Sequence, residues 1–102
     1  LEKLFVLYPD QPNPDAFKAY YVSNHIPLVR KLPGLRTSRY SFDVHSLGGA
    51  ASVFCVFEAE FADAAALGAA MESPEGHAVV QDVPRFAQVP PIILRCSIEL
   101  ES

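Results

Sequence analysis

The residue pattern predicts an α+β fold, a ferredoxin-like split βαβ sandwich. Three observations predict it. Apolar and polar residues fall into the order strand, helix, strand, strand, helix pair, strand, two βαβ halves joined at Gly48-Gly49. The first and third strands are apolar on both faces, so both of their faces must be covered. Hydrophobic residues make up 50% of a 102-residue chain, more than a globule this small can hide in its own interior. In a split βαβ sandwich the helices cover one face of the sheet. The simplest cover for the other is the sheet of an identical subunit across a two-fold axis, so a homodimer is expected. The whole chain, 1–102, reads as a single domain.

Each element has its own signal. Lys3–Tyr8 is an unbroken apolar run of strand length that ends at Pro9. Asn13 is a good N-cap, Pro14 suits the first helical position, and Asp15 complements the positive end of the helix dipole. Within that helix Phe17, Tyr21, Asn24 and Leu28 share a face, with His25 at its edge. Pro27 disfavours helical backbone at Ile26, so the helix should kink or loosen there. Pro33-Gly34 ends it. Arg36–Val44 alternates, with Tyr40, Phe42 and Val44 on one side and Arg39, Ser41 and Asp43 on the other. Ser46–Gly49 is a turn, and Ser52–Phe61 is a second strand apolar on both faces. Asp63 caps an alanine-rich helix to about Glu72. Ser73-Pro74 restarts a short one that ends near Val83-Pro84. Leu94, Cys96, Ile98 and Leu100 alternate with Arg95, Ser97 and Glu99 as a half-buried final strand.

Twelve acidic against eight basic residues give a net charge of −4, with no basic cluster. Nucleic acid and anionic membrane surfaces are therefore not expected partners. No apolar run approaches the roughly 20 residues that cross a bilayer. No charged region precedes an apolar one near the start, so a cytoplasmic location is the default expectation. Cys55 and Cys96 sit in apolar alternating runs and read as buried structural thiols.

Chemistry is sought first at His25. Its imidazole, with an ordinary pKa of ~6.5, exchanges protons at neutral pH without a metal. Its other role would be to hydrogen-bond the loosened backbone near Pro27. Tyr21, on the same side of the helix, is the partner expected to steady a developing oxyanion. Tyr8 and Tyr20 carry further phenols that would contact a substrate, or else pack as amphipathic core or interface residues. Asn24, on the face read as inward, must find a partner in substrate or backbone. His77 follows a helix start and is a further substrate contact, or a solvated helix residue. The three histidines lie in three separate elements without Cys or carboxylate at ligand spacing, so no metal is expected.

Several segments together resemble the EthD family. They are Val6-Leu7-Tyr8-Pro9; Phe17, Tyr20-Tyr21, His25, Pro27-Leu28 and Leu32-Pro33-Gly34-Leu35-Arg36; and Ser73-Pro74-Glu75-Gly76 with Asp82-Val83-Pro84 and Phe86. His77 stands where many relatives have Gln. The resemblance implies a dimeric α+β barrel with a cleft in each subunit between sheet and helices. The family takes its name from a gene linked to bacterial degradation of ethyl tert-butyl ether alongside a cytochrome P450 system. Relatives in its superfamily include cofactor-free polyketide cyclases, monooxygenases, a muconolactone isomerase and haem-degrading enzymes, so fold does not settle function. The expectation is a cofactor-free enzyme, or an accessory protein, working on a small hydrophobic oxygenated compound in ether or aromatic degradation. His25 would move the proton. The alternative is a non-catalytic dimer that holds a small ligand for an oxidative system. Haem fits less well, because the chain has no Trp and few basic residues to meet propionates.

Overall fold

Strand β1 (Glu2–Pro9) runs through the centre of the protein, whose computed structural model describes residues 1–50 and 52–100. Its neighbours are β3 (Val53–Phe61) on one side and β4 (Ile92–Ser97) on the other, with β2 (Thr37–Ser41) outside β3. All pairings are antiparallel, in the order β2-β3-β1-β4. Helices pack on one face of this sheet, which is the ferredoxin-like α+β layout. Alternation along β1 sends Glu2, Leu4, Val6 and Tyr8 to the helix side, where all four are buried. The same alternation in β3 buries Cys55, Phe57, Ala59 and Phe61.

The opposite sheet face is different. Phe5, Leu7 and Val56 are only half-buried there, and Ile92 and Leu94 are 55% and 48% exposed. The apolar reading of both faces is thus correct for composition, and the described chain covers one face. The last strand departs from expectation. Its register pairs Val6 with Ile93, Leu4 with Arg95 and Glu2 with Ser97, so these three face the helices. Leu94 and Cys96 lie on the open face, and Cys96 is an exposed free thiol while Cys55 is a buried one. Arg95 reaches Glu2 at 2.8 Å, which supplies the partner that a nearly buried carboxylate needs.

The first helical segment is α1 (Pro14–Tyr20), capped by the Asn13 side chain accepting from the Ala16 N–H at 3.3 Å. A π-helical turn over Tyr21–His25 follows, then α2 (Ile26–Val29). The Ile26 N–H reaches back five residues to the Tyr21 carbonyl. Loosening therefore falls upstream of Pro27 and not at Ile26, which keeps ordinary helical backbone. Pro27 has no N–H to donate, and its ring crowds the carbonyl four residues back, so a wider turn just before it relieves both problems.

The second helical pair is α3 (Ala64–Glu72) and α4 (Pro74–Asp82). Asp63 caps α3 through the Ala66 N–H at 2.8 Å, and Ser73 caps α4 through the Gly76 N–H at 3.0 Å. The two helices join so closely that a Cβ at Gly76 would overlap the backbone carbonyls of Ala70 and Met71. Backbone cannot yield as a flexible side chain does. Gly76→Ala is expected to destabilise the fold by about 1–3 kcal/mol, read as a lowered urea midpoint at unchanged slope.

Candidate functional site

The π turn decides which side chains of the first helix face inward. One additional residue per turn brings position 25 beneath position 21 and rotates position 24 outward. Tyr21 and His25 are accordingly buried, at 1% and 3% exposure, and their rings stack at 5.4 Å. Asn24 is exposed, which corrects its reading as an inward residue: regular helical spacing does not hold here. Phe86, just after a 3₁₀ turn over Val83–Arg85, packs its ring 4.6 Å from His25.

Against this ring stands Asp82, the last residue of α4. Its Oδ2 lies 2.9 Å from His25 Nδ1, and its Oδ1 accepts a hydrogen bond from the Tyr20 hydroxyl at 2.6 Å. Asp82 is itself 4% exposed. A carboxylate at a helix C-terminus faces the negative end of the dipole, so its place here depends on those two donors. Sequence reasoning gave Asp82 no site role. The available signal was an acidic residue at the unfavourable end of a helix, three positions after inward-facing Val79.

With Nδ1–H donating to Asp82, Nε2 is the ring nitrogen left to act. Among the described residues it has no hydrogen-bond partner, yet no buried side-chain N or O atom there lacks one. Nε2 therefore meets accessible space. His25 lines a cavity of about 250 Å³ between sheet and helices. The walls are Leu4, Val6 and Phe57 from the sheet, Val29 and Val79 from the helices, and Leu32 from the turn after α2. Tyr8 and His25 bring the polar groups in an otherwise hydrocarbon lining. Pro90 and Pro91 add a loop wall, held by a residue the sequence reading passed over. Gln11 donates to the carbonyls of Pro9 and Val89 and accepts from the N–H groups of Gln88 and Val89, tying that loop to the end of β1.

The remaining sequence candidates separate. Tyr8 lines the cavity. Tyr21 does not, because its ring is buried in the aromatic core, stacked on Phe17 and His25. Tyr20 points to Asp82 and borders a different, outward cavity. His77 sits exposed in the first turn of α4 and is not part of the apolar cavity's lining. Among the described residues there is no group of three or more His, Cys, Asp or Glu side chains placed to share a metal ion, and no helix is long and apolar enough to cross a membrane.

Burial sets the protonation states. It raises the Tyr8 phenol well above the ordinary tyrosine range, with Cys55 and Asp82 adding to the effect, so Tyr8 is a neutral donor. Tyr21 is raised by the same cause, and the Cys55 thiol is pushed up to about 12. His25 is held below the ordinary imidazole value because burial between aromatic rings disfavours the cation, with Asp82 opposing part of the drop. At neutral pH the ring is neutral, with Nε2 basic and unprotonated.

The EthD domain family matches residues 11–90, and the chain belongs to that family. An ethyl tert-butyl ether degradation (EthD) family protein from Bacillus halodurans has a crystal structure that is 31% identical, with a TM-score of 0.88 over 96% of this chain and 98% of that one. An uncharacterised 11.0 kDa protein, encoded between thcB and thcC in Rhodococcus erythropolis, is 29% identical over 83% of this chain and 82% of its own. The hydroxynitrile lyase of Passiflora edulis shares the fold at 13% identity, with a TM-score of 0.75 over 99% of this chain and 95% of its own.

Two outcomes test the site. Asp82→Ala leaves the His25 ring and the Tyr20 hydroxyl without their partner, and about 1–3 kcal/mol of stability should be lost in denaturant unfolding. The second is linkage. The folded state holds the His25 pKa down, so the unfolded chain takes up its proton first as pH falls. The stability this contributes is complete above the unfolded value of ~6.5 and is lost below it, so wild type should lose melting temperature more steeply than His25→Gln between about pH 7 and pH 5.

Proposed function

We propose that this chain is a cofactor-free proton-transfer enzyme for a small, neutral, hydrophobic molecule that carries an oxygen function. The observation behind this reading is the Asp82–His25 pair, whose imidazole lines an apolar cavity while Nδ1 is held by the carboxylate. His25 Nε2 takes a proton from carbon beside a carbonyl. The electron pair moves onto the carbonyl oxygen, Tyr8 donates a hydrogen bond to that oxygen, and the imidazolium returns the proton at the product carbon. Asp82 stabilises the cation while it lasts. Every group needed is a side chain already placed, and a dry cavity strengthens each interaction. Isomerisation fits this scheme directly, and an intramolecular aldol cyclisation fits it when the enolate attacks a second carbonyl and the imidazolium returns its proton to the new alkoxide oxygen. The cavity, at about 250 Å³, is a little smaller than the roughly 300–1,000 Å³ typical of ligand pockets and suits a compound of about one ring. The family's connection with ether and aromatic breakdown supplies a context, and a hydroxynitrile lyase has the same fold.

The same reading includes a homodimer. The open sheet face carries Phe5, Leu7, Val56, Ile92 and Leu94, and a second copy of that face would bury them. Light scattering should give twice the mass of one chain for wild type, and Leu94→Asp should lower it toward one. A wild-type mass of one chain would rule the dimer out.

The catalytic reading is tested by a screen of neutral one-ring ketones, lactones and phenols, first for binding and then for turnover. His25→Ala should bind a hit as wild type does and lose turnover by at least about a hundredfold, the low end for a general base. Activity should be full above the ordinary imidazole value of ~6.5 and fall as pH drops through the lowered pKa of His25, because the protonated ring cannot accept a proton. Tight binding with no turnover by wild type would instead favour a ligand-holding protein.

A further inference from the structure

We propose that Tyr20 is a positioning residue, acting through Asp82 to fix which nitrogen of His25 carries the proton. The inference rests on the reading of His25 as the base. Tyr20 lies on the far side of Asp82 from the imidazole and does not line the apolar cavity. It borders a second, outward cavity of about 210 Å³ together with Arg85 and Gln88. A substrate beside Nε2 would not meet its hydroxyl.

Its effect follows from the geometry of a carboxylate. Asp82 turns freely about its own side-chain bonds unless both oxygens are held. His25 holds Oδ2 at 2.9 Å, and Tyr20 holds Oδ1 at 2.6 Å, so together they fix the plane of the group. Tyr20 is in turn immobilised by stacking on Phe86 at 5.6 Å, the same ring that packs 4.6 Å from His25. The three polar groups are thus arranged around one aromatic side chain.

A neutral imidazole has one N–H, and the hydrogen bond made by one nitrogen decides the state of the other. With Asp82 fixed as acceptor at Nδ1, the proton stays there and Nε2 is free to accept. Without the Tyr20 anchor Oδ1 loses its donor, the carboxylate turns away from Nδ1, and the ring divides between its two tautomers. The Nε2–H form is not a base toward the cavity.

The test reads the tautomer directly. Protein carrying ¹⁵N-labelled histidine is examined by multiple-bond ¹H–¹⁵N correlation at a pH about two units above the ordinary imidazole pKa of ~6.5. Wild type should show His25 as a single Nδ1–H tautomer, and Tyr20→Phe a several-fold larger Nε2–H population. An unchanged tautomer in a folded Tyr20→Phe protein would overturn the proposal. Should that variant not fold, 3-fluorotyrosine placed at position 20 strengthens the donor without removing it. The Nδ1 proton resonance of His25 should then move, and a resonance that stays in place overturns the proposal equally. No substrate enters either experiment. A tautomer shift in a protein that turns nothing over would sink the catalytic reading and support the positioning role; turnover with an unmoved tautomer would do the opposite.

Discussion

The buried pairing of His25 with Asp82 is the constraint around which the rest of this structure is arranged. The two residues come from different halves of the chain, one at the end of the π turn and one at the last position of α4. Holding both within a hydrocarbon interior requires each polar atom to be matched, since an unpaired one costs about 1–3 kcal/mol. Tyr20 completes the carboxylate, and Nε2 is the atom that reaches open space. A pair so placed ties the first helical segment to α4 over one face of the sheet.

Aromatic packing turns that pair into a site. Tyr8, Phe17, Tyr21 and Phe86 meet at ring separations of 5.1–5.8 Å, edge-on or tilted except for the stacked Phe17–Tyr21 pair, and His25 packs against Tyr21 and Phe86. Such pairs each add about 0.5–1.5 kcal/mol beyond the area they bury. Their further consequence is electrostatic. They exclude water from one side of the imidazole, which keeps it neutral, and leave the cavity on the other side apolar. Gln11 contributes from outside by tying the loop at Gln88 and Val89 to the end of β1, so the proline wall of the cavity has a fixed distance from Tyr8.

The family relationship and the site support different claims. Membership in the EthD family rests on sequence and on a structure that agrees over nearly the whole length of both chains. The proton-transfer reading rests on the cavity and the dyad of this chain, because the fold alone carries many activities. The open sheet face belongs to the same division. Its apolar residues follow from the chain's own alternation, and what covers them is a matter for a second molecule.

Local physical rules already determine much of this protein from its residues. Asn13-Pro14, Asp63 and Ser73-Pro74 start their helices where capping chemistry places them, and the apolar runs around Leu4–Tyr8 and Val53–Phe57 become the central strands. His25 was legible as the one titratable group on an aromatic helix face. Its partner was not, because Asp82 lies 57 residues away and only tertiary folding brings the two together. The π turn was equally beyond a regular helical count. Reading 3.6 residues per turn put Asn24 inside and made Tyr21 the phenol of the site, whereas the wider turn exposes Asn24, sends Tyr21 into the core and leaves Tyr8 beside the cavity. The register of β4 was the third such decision, since alternation fixes two sets of residues and only pairing with β1 chooses which set meets the helices. The sequence by itself determined the elements and their order, through forces that act over a few residues. Tertiary structure decided which side chains share a cavity, because that depends on contacts between segments far apart in the chain.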